Sequence, residues 1–255
     1  MSRLIAVSGK GGVGKTLYSI ALTKSLREQG KEAYYINFEN QNIPNCFKNN
    51  EHIVLSTAGS TSEYITKKLG SKTISNWITD TKFFKAVYGL LPGLSHMIML
   101  GHILDILEKS PHKIIILDSP ASGHFISVLS IPNQFKKILK LGAIANDIDR
   151  MMALMTNPGF FNIKLLTIPT SLAVQETKET VEQIEKLQFP KPEIILNNSL
   201  ENIFKSLENP PPFLIQKIEN ENKLLGTHNF KKIIPYIVSL EPKEIIEKIS
   251  GQLNE

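Results

Sequence analysis

The sequence predicts an α/β fold: a mostly parallel sheet with helices on both faces and a helical insertion between two of its strands. Three observations predict it. Short apolar runs alternate with segments of helical period along most of the 255 residues. The first of these runs passes through a glycine-dense turn directly into a helical pattern. A later run, Lys113-Ile114-Ile115-Ile116-Leu117, ends in Asp118, as a strand buried on both faces does when it delivers an acid to the carboxyl edge of a parallel sheet.

Arg3 to Ser8 reads as the first strand and Leu17 to Leu26 as the first helix. Between them, Gly9-Lys10-Gly11-Gly12-Val13-Gly14-Lys15-Thr16 satisfies the pattern G-x4-G-K-[ST], in which loop N–H groups and a helix N-terminus converge on a phosphate. The predicted fold is therefore a P-loop NTPase that binds a nucleotide with Mg²⁺. Gly11, Gly12, Val13, Gly14, Lys15, Thr16 and Leu17 are the phosphate-binding residues. Lys15 reaches the β- and γ-phosphates, and the Thr16 hydroxyl ligates the metal. The same glycines also spell G-x-G-x-x-G, and Glu39 sits near the place of a ribose-binding acid, so an NAD(P)-binding Rossmann oxidoreductase is the alternative. Lys15 and Thr16 favour the P-loop, because a dinucleotide turn needs neither an ammonium nor a hydroxyl at the helix start.

Composition narrows the class. Apolar content of 42% and charged content of 21% are ordinary for a globular chain, and the length suits a single domain over 1–255. The net charge of +5 comes from dispersed lysines, so no nucleic-acid partner is expected. Cys46 is the only cysteine, which excludes an intrachain disulfide and a cysteine-rich metal site. A strand starts by residue 3 and no run is long and apolar enough to span a bilayer, so the expectation is a cytoplasmic protein.

Gly30 reads as the stop of the first helix, and Ala33 to Phe38 as the second strand. The polar loop Glu39 to Asn45 follows. Glu39 is its only carboxylate: it either orients an attacking water or is a solvated loop acid. Residues 48–110 are too long for a plain crossover and read as a helical insertion, with a short strand at His52 to Ser56 and short helices at Glu63–Leu69 and Lys82–Leu90. Leu94 to Leu107 is apolar nearly all round, so it packs on the sheet or faces an apolar client. Asp118 is the candidate Mg²⁺ acid, bound directly or through water, and Gly123 lets the following loop move with the γ-phosphate.

Ile144 to Met155 reads as a helix whose methionines belong to core or to a client surface. Asn162 to Ile168 and Pro192 to Asn198 are strands separated by the amphipathic helix Leu172 to Leu187. Pro210-Pro211-Pro212 breaks the chain before a polar helix that reaches about Leu225. Lys231 to Val238 is a last strand, and Pro242 opens a helix to Ile249.

Lys10-Gly11-Gly12-Val13-Gly14-Lys15-Thr16 resembles the deviant P-loop shared by nitrogenase iron protein, cell-division and partition ATPases, and the arsenite-pump and tail-anchored-protein-targeting ATPases. Asp118-Ser119-Pro120-Ala121-Ser122-Gly123-His124 is similar to the second switch of the last two, and closest to their short bacterial members. The match continues through Phe125 to Leu129, Ile131-Pro132, Thr167-Ile168-Pro169 and Glu176-Thr177. The resemblance implies an ATPase whose ATP binding and hydrolysis open and close a dimer, either a homodimer or a heterodimer with a paralogous ATPase. It implies that Lys10 reaches the partner's nucleotide, that Asn197 contacts adenine and Pro235 lies near the base, and that a protein or membrane-protein client is handled. Catalytic roles fall to Lys10, Lys15, Glu39 and Asp118. The family's switch-one aspartate is missing, which leaves a regulatory partner subunit with little hydrolysis as the alternative. The cysteines behind the family's zinc and arsenite sites are missing too, so neither site is expected. Outside the resemblance, Lys10 is a solvated loop lysine and Asn197 a strand-end turn residue.

Overall fold

The structure, a computed structural model, describes residues 2–38, 52–53, 94–138 and 143–254. The described residues form six strands: β1 (Leu4–Gly9), β2 (Glu32–Asn37), β3 (Lys113–Asp118), β4 (Phe161–Thr167), β5 (Glu193–Ser199) and β6 (Lys232–Pro235). All pair in parallel in the order β2-β3-β1-β4-β5-β6, which places the first strand in the middle of the sheet. Eight helices accompany them: α1 (Lys15–Glu28), α2 (Leu94–Lys109), α3 (Ser122–Ile138), α4 (Ala143–Met155), α5 (Ser171–Lys186), α6 (Glu201–Lys205), α7 (Pro212–Thr227) and α8 (Pro242–Asn254). None of them is long and apolar enough to cross a membrane.

Strand alternation divides the core in two. Leu4 and Ala6 of β1 and Ile115 and Leu117 of β3 face one cluster, closed by α2, α3, α4 and α5. Ile5, Val7, Ile114 and Ile116 face the other, closed by α1 and α8. This is the expected parallel sheet with helices on both faces, and its first topological switch falls beside β1, where such sheets bind ligands at their carboxyl edge. The far half of α1 is tied to α8: Ser25 Oγ donates to Asn254 Oδ1 at 2.6 Å and Ser250 Oγ to Glu28 Oε2 at 3.1 Å.

Most expected elements match within a few residues, and the departures have physical causes. The segment after Asp118, read as a mobile loop around Gly123, is helical from Ser122; Phe125, Val128, Leu129 and Phe135 recur at helical spacing and bury one face of α3 in the core. The strand expected over 231–238 is only the four residues of β6, because its pairing to β5 ends at Ser199 and Pro235. The last helix runs past Ile249 to Asn254, held by the contacts to α1. The short helix α6 was not expected.

Of the expected insertion over 48–110, α2 is an ordinary sheet-packing helix: Met97, Leu100, Leu104 and Leu107 are buried in the core. Met151 and Met155 of α4 are buried there as well, the core reading of the methionine helix. His52 forms an isolated parallel bridge with Tyr35, and residues 54–56 of the short strand expected there lie outside the described residues. Glu39, Cys46 and the helices expected at 63–69 and 82–90 lie outside the described residues.

Candidate functional site

β1 is buried throughout and ends at Gly9, where the chain turns into the loop before α1. Two glycines there are sterically required. At Gly9 a Cβ would lie 2.3 Å from the Leu166 carbonyl oxygen of β4. Gly14 has φ 91, and a Cβ would lie 2.5 Å from Asn197 Nδ2. At Gly11 and Gly12 a Cβ would meet nothing within 4 Å, so that side of the loop is open to a ligand. Behind the loop, Asn197 of β5 is buried and its Nδ2 donates to the Val13 carbonyl at 2.8 Å. The amide pins the loop from below.

Lys15 begins α1, and its Nζ donates to the Lys10 carbonyl at 3.0 Å. Thr16 Oγ1 donates to Asp118 Oδ2 at 2.7 Å, so the hydroxyl and the acid read from the sequence as a metal pair meet across 102 residues. Tyr35 OH donates to the same oxygen at 2.9 Å, and Asn37 Nδ2 reaches Tyr35 OH at 3.3 Å. Burial, then the adjacent Asp118 carboxylate, push the Tyr35 phenol well above its ordinary range, so it stays a donor. The donor set fits Mg²⁺, which takes one or two protein oxygens and completes its shell with water and phosphate oxygens. Among the described residues no group of three or more His, Cys, Asp or Glu is placed to hold a metal.

Lys10 projects from the other side of the loop and forms a 2.6 Å ion pair with Glu176 of α5. The segment after Asp118 is tied to β1: Ser119 N donates to the Val7 carbonyl at 3.0 Å and Ser8 Oγ to the Pro120 carbonyl at 2.9 Å. His124 sits exposed in the first turn of α3. Its ring lies 5.0 Å from that of His96 in α2, which in turn lies 5.2 Å from the Phe38 ring at the end of β2. The exits of β2 and β3 are thus joined by an aromatic string.

Beyond the carboxyl ends of β4, β5 and β6 lies a cavity of about 320 Å³, lined by Ile168, Thr170, Asn198, Lys217 and Tyr236 among others. Asn197 and Pro235, the residues expected near the base, are the immediate chain neighbours of Asn198 and Tyr236. The structure therefore gathers Gly11, Gly12, Val13, Gly14, Lys15, Thr16, Lys10 and Asp118 at one edge, with Asn197 beneath them and Pro235 on β6, three strands from β1.

Sequence reasoning missed Tyr35 and gave Glu176 no role. Tyr35 is one residue of an apolar strand, and its only signal is a hydroxyl two positions before the polar strand end. Glu176 stands among several acids on an amphipathic helix.

Comparison with known proteins accords with this geometry. Residues 4–245 match the CobQ/CobB/MinD/ParA nucleotide binding domain. The chain is 22% identical over 223 residues to a Mycobacterium tuberculosis protein named ATPase BagA, covering 78% of this chain and 65% of that protein, so it spans just under two thirds of that relative's length. It is 26% identical over 148 residues to ATPase ASNA1 homolog 1 of Paramecium tetraurelia, covering 52% of this chain and 44% of the relative. It is 21% identical over 242 residues to ATPase ARSA2 of Chlamydomonas reinhardtii, covering 76% and 67%.

Proposed function

The chain belongs to the CobQ/CobB/MinD/ParA nucleotide-binding family, and from that premise we propose that it is a Mg·ATP-dependent ATPase that closes as a nucleotide-sandwich dimer and acts on a protein or membrane-protein client. The observation that carries the reading is the 2.7 Å contact between Thr16 and Asp118 beside Lys15. A magnesium–phosphate site needs this arrangement and a dinucleotide site does not.

Each residue has work of its own. The loop N–H groups from Gly11 to Thr16 bind phosphate oxygens. Lys15 leaves the Lys10 carbonyl for the β- and γ-phosphates. Thr16 and Asp118 hold Mg²⁺, which neutralises phosphate charge when bound. Asn197 keeps the loop at its height, and the cavity lined by Asn198 and Tyr236 takes the base. Lys10 crosses to the nucleotide of a second subunit, where its charge stabilises the transferred phosphoryl group. The ATPase names of the relatives support hydrolysis at the family level.

A second reading, a nucleotide-binding subunit with little turnover, is favoured by the polar stretch after β2, whose only carboxylate is Glu39. One experiment separates the two: phosphate release by the purified chain with Mg·ATP, with oligomer mass recorded in parallel. Turnover with ATP-dependent dimers supports the ATPase. ATP binding without turnover supports the partner subunit, and absence of ATP binding overturns both.

A further inference from the structure

The edge of the sheet opposite the phosphate loop holds a second cavity of about 450 Å³, within the range of clefts that take small molecules. Its floor is apolar, made by Ile5 of β1, Ile195 of β5, Leu22 and Leu26 of α1 and Leu253 of α8. Tyr18 of α1 and Asn162 of β4 add polar groups. Asn162 Oδ1 is shielded from solvent and accepts no hydrogen bond among the described residues.

The rim is cationic. Lys164 is neutralised by Glu193, at 2.6 Å. Lys231 and Lys232 also line the cavity and form no ion pair among the described residues. Glu193 also lines the cavity and is held down by the charge of Lys231 as well as Lys164, so the rim carries three lysines against one carboxylate beside the apolar floor. A bare phosphate would leave that floor wetted, and a neutral hydrocarbon would gain nothing from the lysines. Both features are used by a molecule with an apolar or aromatic body and one anionic group.

We propose that this cavity is a second, non-nucleotide site that takes a small amphipathic anion, with its apolar body on Ile5, Leu22 and Ile195 and its charge on Lys231 and Lys232. The site goes beyond the ATPase reading and does not depend on it. Its position gives it a route to the phosphate loop, because Tyr18, Leu22 and Leu26 lie on the helix that begins with Lys15 and Thr16.

The test is fluorescence titration of the full chain with two probes of similar body: anionic 1-anilinonaphthalene-8-sulfonate and neutral N-phenyl-1-naphthylamine. The expected result is saturable one-to-one binding of the sulfonate that persists in excess Mg·ATP. The double variant Lys231→Glu, Lys232→Glu weakens the sulfonate at least ten-fold and changes the neutral probe less than two-fold. Leu253→Trp, which fills the half-buried end of the floor, weakens both probes. Non-saturating binding, displacement by Mg·ATP, or unchanged sulfonate affinity in the double variant would each overturn the proposal.

Discussion

Lys10 Nζ lies 2.6 Å from Glu176 Oε1, so the leading lysine of the phosphate loop is held by its own chain across 166 residues of sequence. The pair is 53% and 37% exposed, and such pairs contribute at most about 1 kcal/mol. It is easily broken. If Lys10 serves a second subunit, Glu176 competes with that subunit for it. Glu176→Gln is therefore expected to shift ATP-dependent dimerisation several-fold toward lower protein concentration, and Lys10→Ala to abolish it. Sedimentation velocity with and without Mg·ATP checks both. Dimerisation of Lys10→Ala equal to wild type would remove the lysine from the interface.

Asp118 receives Thr16 and Tyr35 on one carboxylate oxygen. An Asn in its place keeps the shape and loses the charge that a magnesium ion needs. Asp118→Asn is expected to lower ATP affinity at least ten-fold in Mg²⁺ while changing affinity in EDTA less than three-fold. Calorimetric titration under both conditions separates a metal role from general damage to the site.

Asn197 supports the loop through one hydrogen bond to the Val13 carbonyl. Its removal leaves a buried carbonyl without that partner, a cost of about 1–3 kcal/mol. Asn197→Ala is expected to weaken nucleotide binding roughly ten-fold or more. Gly14→Ala adds a clash with Asn197 and a Cβ at φ 91, so combining it with Asn197→Ala removes the clash and leaves the backbone strain. The double variant should bind nucleotide more weakly than Asn197→Ala alone, by the same titration.

The Lys164–Glu193 pair gives a pH dependence. Burial pushes the Glu193 carboxyl up, but the hydrogen bond and charge of Lys164, the hydrogen bond from Asn162 and the charge of Lys231 together outweigh it and hold the group below its ordinary value of 4.5. A depressed carboxyl contributes stability that is full above the ordinary value and is lost as pH falls through the folded one. Glu193→Gln should therefore cost about 1–2 kcal/mol at pH 7, with the difference from wild type shrinking below pH 4.5. Urea unfolding at pH 7 and at pH 3.5 measures it; a difference that grows in acid would contradict the assignment.

What could be read from the sequence was local. Gly9 to Thr16 is contiguous, and the apolar run into Asp118 announces a buried parallel strand, so the loop and its acid were visible before any coordinates. The pairing of Tyr35 with Asp118 was not, because it depends on β2 lying in register beside β3. Glu176 meets Lys10 only because α5 follows β4, the strand that flanks β1. Gly123 argued for a loop by intrinsic preference, and burial of Phe125 and Leu129 overrode it. The cavity beyond β4, β5 and β6 has walls from three strand ends and α7, a convergence no spacing encodes.

The bond between Ser25 and Asn254 spans nearly the whole chain, and β1 lies between β3 and β4. During synthesis the loop motif is made well before the sheet neighbours of its strand, residues 113–118 and 161–167. Its helix is not seated until α8 arrives. Contacts this distant close late, so the loop is not fully framed until α8 has been made. A product that stops before β4 would carry the complete motif without the strand and helix that frame it.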